Sequence, residues 1–271
     1  MSSVLLVDEP VRHVRRLTLN RPEALNAMTA ELCEALHREL RAIAAERSTR
    51  AVILTGAGRG FCAGLDLHGY GAAPSSDGSD EARDRLANQQ HMSSLILALR
   101  ALPQPVIAAV NGPAAGFGLA LCLASDIRYA SRDAVFRVAF INVGVSNCDM
   151  GTSWLLPRLI GASRAHELML TGRRLGAEEA LRIGLVNELT EDGEALTRAL
   201  TLARTLCGFP QTAMRNDRLS AIEQWDLDAQ AAIANEVALG VKTIEGGETR
   251  QGLARFASGA GRHGRFEPDA G

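Results

Sequence analysis

Short runs of aliphatic and β-branched residues alternate along the chain with stretches whose apolar positions recur every three to four residues. Residues 4–7 and Val14–Leu19 are the first two β-rich runs. Separated by Asp8-Glu9-Pro10, they predict a hairpin or meander at the start of a sheet. After a loop over residues 20–27, Thr29 offers an N-cap hydroxyl, and Leu32, Leu36, Leu40 and Ile43 repeat at helical spacing. Residues 51–55 form a continuous apolar run of the kind found in strands buried on both faces. Residues 70–80, rich in Gly, Ser, Ala and Asp, predict a mobile surface loop. A helix over about 81–102 should follow, stopped by Pro103 and Pro105. Val106–Val110 reads as another buried strand, residues 112–118 as a glycine-rich turn and 119–125 as a buried helix. Strand, turn and helix then repeat, which implies an α/β fold with parallel pairing. Beyond about Gly208 the pattern is mainly helical, dividing the chain into a core, 1–207, and a C-terminal helical region, 208–271.

A chain of 271 residues buries a core large enough to need no covalent staples. Its net charge of −2 supplies no field that would draw it to nucleic acid or an anionic membrane. Lys242 is the only lysine, so contacts to an anionic ligand fall to arginines, backbone N–H groups and helix N-termini. Five cysteines, an odd number with no C-x-x-C pair, point to a reducing compartment and away from disulfides or a zinc site. The N-terminus lacks the basic-then-apolar pattern of a signal peptide, and no apolar run reaches membrane-span length. The expected location is cytoplasmic.

Two glycine-rich turns, each after a buried strand, are the places where chemistry can gather. The first is Gly60-Phe61-Cys62-Ala63-Gly64-Leu65-Asp66. The second is Asn111-Gly112-Pro113-Ala114-Ala115-Gly116-Phe117-Gly118. Glycine lets backbone approach a ligand closely, and a helix starting near Gly118 would aim its positive end at whatever sits above the turn. Neither turn has the Gly-Lys-Ser/Thr of a Walker loop or the spacing of a dinucleotide fingerprint. Taken singly, each is also what an ordinary turn looks like.

Taken together the turns carry a resemblance. Leu19-Asn20-Arg21-Pro22-Glu23-Ala24-Leu25-Asn26-Ala27, Val52-Ile53-Leu54-Thr55-Gly56 and Phe61-Cys62-Ala63-Gly64-Leu65-Asp66-Leu67 come in register with Pro105-Val106-Ile107-Ala108-Ala109-Val110-Asn111-Gly112-Pro113. Asp126-Ile127-Arg128, Leu156-Pro157-Arg158-Leu159-Ile160-Gly161, Leu170-Thr171-Gly172 and Gly184-Leu185-Val186 follow. In order and spacing this resembles the enoyl-CoA hydratase/isomerase (crotonase) superfamily over residues 4–188. The resemblance implies a crotonase-like spiral of ββα units with C-terminal helices that assemble homotrimers or homohexamers. It implies an acyl-CoA substrate and no cofactor besides the coenzyme A that the substrate carries. It assigns the two backbone donors to the thioester oxygen to Leu65 and Phe117, with Gly64 and Gly116 beside them. Ala24, Ala27, Ala63 and Asp66 match loops that hold the adenine end of CoA; Arg262 and Arg265 read either as contacts to its phosphates, where other members carry lysine, or as a solvated tail.

The chain departs from the family at the two glutamates used to hydrate a double bond: Ala120 and Phe140 stand there. Asp149 remains, near where the family's isomerases keep an acid and near the nucleophilic aspartate of its aryl-CoA dehalogenases. The resemblance therefore favours isomerisation by one carboxylate. Hydration, dehalogenation or thioester hydrolysis through Asp149, and acyl-CoA binding without chemistry are the alternatives. Asp149 is equally placed to cap the helix carrying Trp154. His91 reads as a satisfied histidine or a pocket-lining one, Cys62 and Cys148 as small apolar filler, Trp154 as core and Asp126 as a structural hydrogen-bonding residue.

Overall fold

The computed structural model describes residues 3–68 and 79–259, with backbone only for 79–86. Residues 69–78, which hold most of the glycine- and serine-rich stretch, and Arg262 and Arg265 lie outside the described residues.

The chain opens with an antiparallel pair, β1 (Leu5–Val11) and β2 (Val14–Leu19). Asp8-Glu9-Pro10 is not the turn between them but part of β1, with an irregular register between Asp8 and Val11. Proline is tolerated here because β1 is an edge strand. The turn falls at Arg12-His13, where His13 takes a φ of 71°. Strands β3 (Ala51–Gly56), β4 (Val106–Val110), β6 (Ile127–Ser131) and β9 (Glu188–Thr190) extend the sheet in parallel, in the order β1-β2-β3-β4-β6-β9. A second, three-stranded sheet joins β5 (Ala114–Ala115), β7 (Val135–Arg137) and β8 (Arg174–Gly176).

Side-chain alternation sorts the large sheet's residues onto two faces. Leu17, Leu19, Val52, Leu54, Val106, Ala108 and Val110 meet α1 (Ala30–Ala45), α2 (Ser79–Arg100) and α3 (Phe117–Ala124). Val14, Ala51, Ile53, Ile107 and Ala109 face α7 (Ala195–Gly208). That helix presents Ala195, Ala199, Ala203 and Cys207, one small residue per turn, so its backbone can lie close to the strands. With both faces covered, β3 and β4 are buried throughout apart from the end of β3, which explains why they read as unbroken apolar runs. Helix α1 is capped as its sequence suggests: Leu32 N–H donates to Thr29 Oγ1 at 3.2 Å. Helix α2 begins at Ser79, inside the stretch expected to be loop, and ends at Arg100.

After α4 (Thr152–Ile160), α5 (Ala162–Thr171) and α6 (Ala177–Arg182), the C-terminal region is helical: α8 (Gln211–Glu223), α9 (Ala229–Glu245) and α10 (Glu248–Ala257). Arg218 of α8 docks onto the core. Its Nε donates to Asp126 Oδ2 at 2.8 Å, and its Nη1 donates to the carbonyls of Arg100 (2.9 Å) and Leu102. The same Asp126 oxygen accepts Val106 N–H at 2.7 Å, so this carboxylate pins the start of β4. Ile233, Val237, Val241 and Ile244 form an exposed apolar stripe along α9. Among the described residues no helix is long and apolar enough to cross a membrane.

Candidate active site

The two glycine-rich turns lie against each other and are stitched by backbone hydrogen bonds. Phe61 and Cys62 N–H both donate to Pro113 O at 3.1 Å, and Ala115 N–H donates to Cys62 O at 2.9 Å. Gly64 and Gly116 meet at the crossing: a Cβ built on Gly116 would lie 3.7 Å from Gly64 Cα, and one on Gly64 would lie 3.2 Å from Ala115 O. Both have positive φ, 111° and 49°, so glycine serves conformation and close approach together.

Asparagines brace the pair from behind. Asn26, fully buried in the left-handed region (φ 57°), donates to Ala57 O (2.9 Å) and Gly60 O (2.8 Å) and accepts Arg21 N–H at 2.8 Å. Asn111 donates to Gly58 O at 2.9 Å and accepts Gly56 N–H at 3.1 Å. Neither was singled out from sequence. A lone Asn inside a loop signals only that a turn is near, and the carbonyls it donates to lie 31 to 53 residues away.

At the crossing two amides point at no protein acceptor among the described residues. Leu65 sits in an isolated bridge with Met28, but the bridge uses its neighbours: Met28 N–H donates to Gly64 O (2.7 Å) and Asp66 N–H to Met28 O (2.9 Å). Phe117 is the first residue of α3, preceded by Gly116 without a side-chain cap, so its N–H is one of the orphan donors of a helix start. The Phe117 side chain is fully buried in the core. The positive end of α3 adds to the field at this point.

The loop residues Ala24, Ala27, Ala63 and Asp66 gather on one rim. Ala63 N–H donates to Leu25 O at 2.9 Å, joining the two loops that carry them. Ala24 and Ala27 are half-buried and Ala63 is exposed. Arg21 clasps the rim, donating to Ala27 O at 2.6 Å and Asp66 Oδ2 at 2.9 Å. Hydrogen bonds from His68 and Arg21 hold the Asp66 carboxyl down at about 2. A depressed carboxyl favours the folded rim above the ordinary aspartate pKa of about 4 and gives that up as pH falls through about 2. An NMR titration of Asp66 should therefore show its midpoint near 2. Arg21→Met should raise that midpoint; a midpoint at the ordinary value in the intact chain would show that the clasp does not form.

The proton-transfer side of the site is sparse. Ala120 is fully buried in α3, and Phe140 is buried with its ring edge against Gly116, 3.4 Å from where a Cβ would stand. Asp149 is half-buried just before α4. Its Oδ1 accepts Met150 N–H at 2.7 Å, and its Oδ2 accepts from the Gln89 amide of α2. The helix-capping reading fails: Gly151 is the N-cap of α4, and Thr152 N–H goes to the Asp149 carbonyl instead of the carboxylate. Between α2, the start of α4 and α8 opens a cavity of about 820 Å³, lined by Ile96, Leu97, Gly151, Trp154 and Leu155 among others. Trp154 is half-buried there, with Arg100 and Arg158 over its ring and Trp225 tilted against it, so it is a cavity wall more than core.

Of the other candidates, Cys62 is buried and its thiol is pushed up to about 12 by that burial, which makes it filler and not a nucleophile. Cys148 is exposed, contrary to its reading as filler. His91 turns from the cavity toward α1, where its ring stacks on His37.

A family model described as Enoyl-CoA hydratase/isomerase matches residues 11–261. The chain belongs to the enoyl-CoA hydratase/isomerase family. It is 46% identical over 76% of its length to a probable enoyl-CoA hydratase, echA12, of Mycobacterium bovis, covering 73% of that protein. It is 41% identical over 73% of its length to the 1,2-epoxyphenylacetyl-CoA isomerase of Escherichia coli, covering 74% of it. Among solved structures, a putative enoyl-CoA hydratase from Streptomyces coelicolor A3(2) superposes with a TM-score of 0.88 at 36% identity, over 95% of this chain and 92% of that one. This is the crotonase fold, and the chain is an enzyme of a family whose members are named both hydratases and isomerases.

Proposed function

We propose that this enzyme isomerises the double bond of an enoyl-CoA thioester. The thioester oxygen sits between the Leu65 and Phe117 N–H groups, and the observation that carries this reading is that both amides stand without a protein acceptor where the two turns cross. Donors fixed before the reaction stabilise the enolate oxygen without reorganising, and one such donor is worth about 3–4 kcal/mol. Asp149 takes a proton from the α-carbon of the 3-enoyl ester, leaving a dienolate held by the two amides, and returns that proton at the γ-carbon to give the 2-enoyl ester. A single carboxylate suffices for that shuttle. Hydration calls on a second proton-transfer group to act on water, and the residues at the family's two glutamate positions, Ala120 and Phe140, are buried and cannot ionise.

The CoA moiety lies along the joined loops of Ala24, Ala27, Ala63 and Asp66. The acyl chain runs past Asp149 toward the apolar cavity, whose lining residue Gly151 is two positions away. The exposed apolar stripe of α9 is too continuous to leave in water and is buried between copies of the chain in a homotrimer or homohexamer.

Offering 3-enoyl-CoA and trans-2-enoyl-CoA in separate reactions tests the chemistry. Migration of the double bond in either direction, with the two reactions converging on one mixture, is the expected result. Accumulation of 3-hydroxyacyl-CoA from the 2-enoyl ester as main product would make the enzyme a hydratase and remove Asp149 from its assigned role.

A further inference from the structure

On the far side of α2 from Asp149, three potential metal ligands converge. Cys33 and His37 lie four residues apart on one face of α1, and His91 crosses to them from α2. One ligand atom of each lies within 4.8 Å of the other two. We propose that Cys33, His37 and His91 form a binding site for a borderline-soft divalent cation such as zinc, with water as the fourth ligand.

Geometry supports the assignment. Cys33 Sγ and His37 Nδ1 are 3.5 Å apart. Tetrahedral zinc, with bonds of about 2.3 Å to sulfur and about 2.0–2.1 Å to nitrogen, sets that edge at about 3.6 Å. The supporting shell is also present. Ser94 Oγ donates to the His91 carbonyl at 2.7 Å and lies 3.0 Å from His37 Nε2, so it accepts the proton on that nitrogen. This fixes the tautomer that leaves the Nδ1 lone pair turned toward Cys33, the arrangement in which a metal-binding imidazole is held by its other nitrogen.

The hydrogen bonding within the cluster is incomplete. His37 Nδ1 in this tautomer accepts only the weak Cys33 S–H, at 3.5 Å, and has nothing to donate to the Cys33 carbonyl oxygen at 3.0 Å. On the other side His91 Nε2 is buried and lies 2.6 Å from Glu34 Oε1, yet makes no hydrogen bond of acceptable angle. A weakly satisfied Nδ1, the His91 imidazole and the Cys33 sulfur thus converge, and a divalent ion would take the place of the thiol proton and bind all three. The Cys33 thiol releases its proton to solvent as the metal–sulfur bond forms. Glu34 is more than half exposed and provides the way in. Residues 89 and 91 are roughly 200° apart on a helix. The ion would therefore clamp α2 to α1 on the face opposite the one that holds Asp149.

The test is titration of the full chain, first stripped with a chelator, with Cd²⁺, read by the ultraviolet thiolate-to-cadmium charge-transfer band. One ion per chain and a one-thiolate band are expected, unchanged in Cys148→Ser and lost in Cys33→Ser. His91→Gln alters a half-exposed side chain and covers the case in which Cys33→Ser fails to fold. It should weaken Cd²⁺ binding by about tenfold or more. No band in excess Cd²⁺, a band that survives Cys33→Ser, or unchanged affinity in His91→Gln would overturn the proposal. None of these readouts depends on the reaction assigned to Asp149.

Discussion

Asp149→Asn should slow double-bond migration by about 10²–10⁴-fold, the usual contribution of a positioned acid/base, without loosening CoA-ester binding. Asparagine has nearly the size and shape of aspartate. One of the two donors now serving the carboxylate, the Met150 N–H at 2.7 Å, can still meet the side-chain oxygen. The Gln89 amide then faces an NH₂ group in place of an oxygen. Losing that one half-buried hydrogen bond costs on the order of 1 kcal/mol of stability, small against a folding free energy of roughly 5–15 kcal/mol. The variant should therefore fold, bind and fail only at proton transfer. Exchange of the α-proton of a saturated acyl-CoA with solvent separates the two effects. It should vanish in Asp149→Asn while the ester still binds. Exchange and turnover at the normal rate in a folded variant would mean that another group moves the proton. Binding without exchange in the native chain would instead point to a protein that holds acyl-CoA and does no chemistry.

The strands were legible where burial gives them an unbroken or alternating apolar pattern. Val14–Leu19 and Val106–Val110 carry an unbroken or alternating apolar signal because helices cover the sheet on both faces, and the structure reproduces both to the residue. Errors fell where a local signal competes with pairing. Asp8-Glu9-Pro10 has turn composition, yet an edge strand accommodates it, and the true turn at Arg12-His13 has no glycine, asparagine or proline to announce it. Strands β5, β7 and β8 are two or three residues long and show no periodicity at all.

The site divides the same way. Gly64 and Gly116 stood out because glycine is a one-residue statement about backbone. That they touch was not readable, since it depends on the pairing of Cys62 with Ala114. The buried bracing by Asn26 and Asn111 and the meeting of His91 with Cys33 and His37 are tertiary facts of the same kind. Asp149 was found by its distance along the chain from the family's pattern, but its freedom from helix capping became visible only when Gly151 proved to be the cap.

Gly118→Ala should destroy activity although the textual change is a single methyl in a helix. On propensity alone the substitution stabilises an α-helix by roughly 1 kcal/mol. Here the new Cβ would stand 2.1 Å from Cys62 O and 2.7 Å from Cys62 Cβ. These atoms belong to the facing turn, and Cys62 O is already engaged by Ala115 N–H at 2.9 Å. No rotamer relieves contact with a backbone oxygen, so the turns must part by about 1 Å to restore van der Waals distance. Overpacking of this kind costs about 1–3 kcal/mol, which outweighs the propensity gain and sets a net loss of stability. The functional loss is larger. Leu65 lies three residues beyond Cys62 and Phe117 immediately before Gly118, so spreading the turns moves the two N–H groups apart. Misplacing reacting groups by about 1 Å can cost about 10²-fold. A variant that melts a few degrees lower, still folds and loses about 10²-fold or more in kcat/KM is the expected outcome. Full activity in Gly118→Ala would mean that the distance between the turns does not set the rate, and the two amides would lose their place in the reaction.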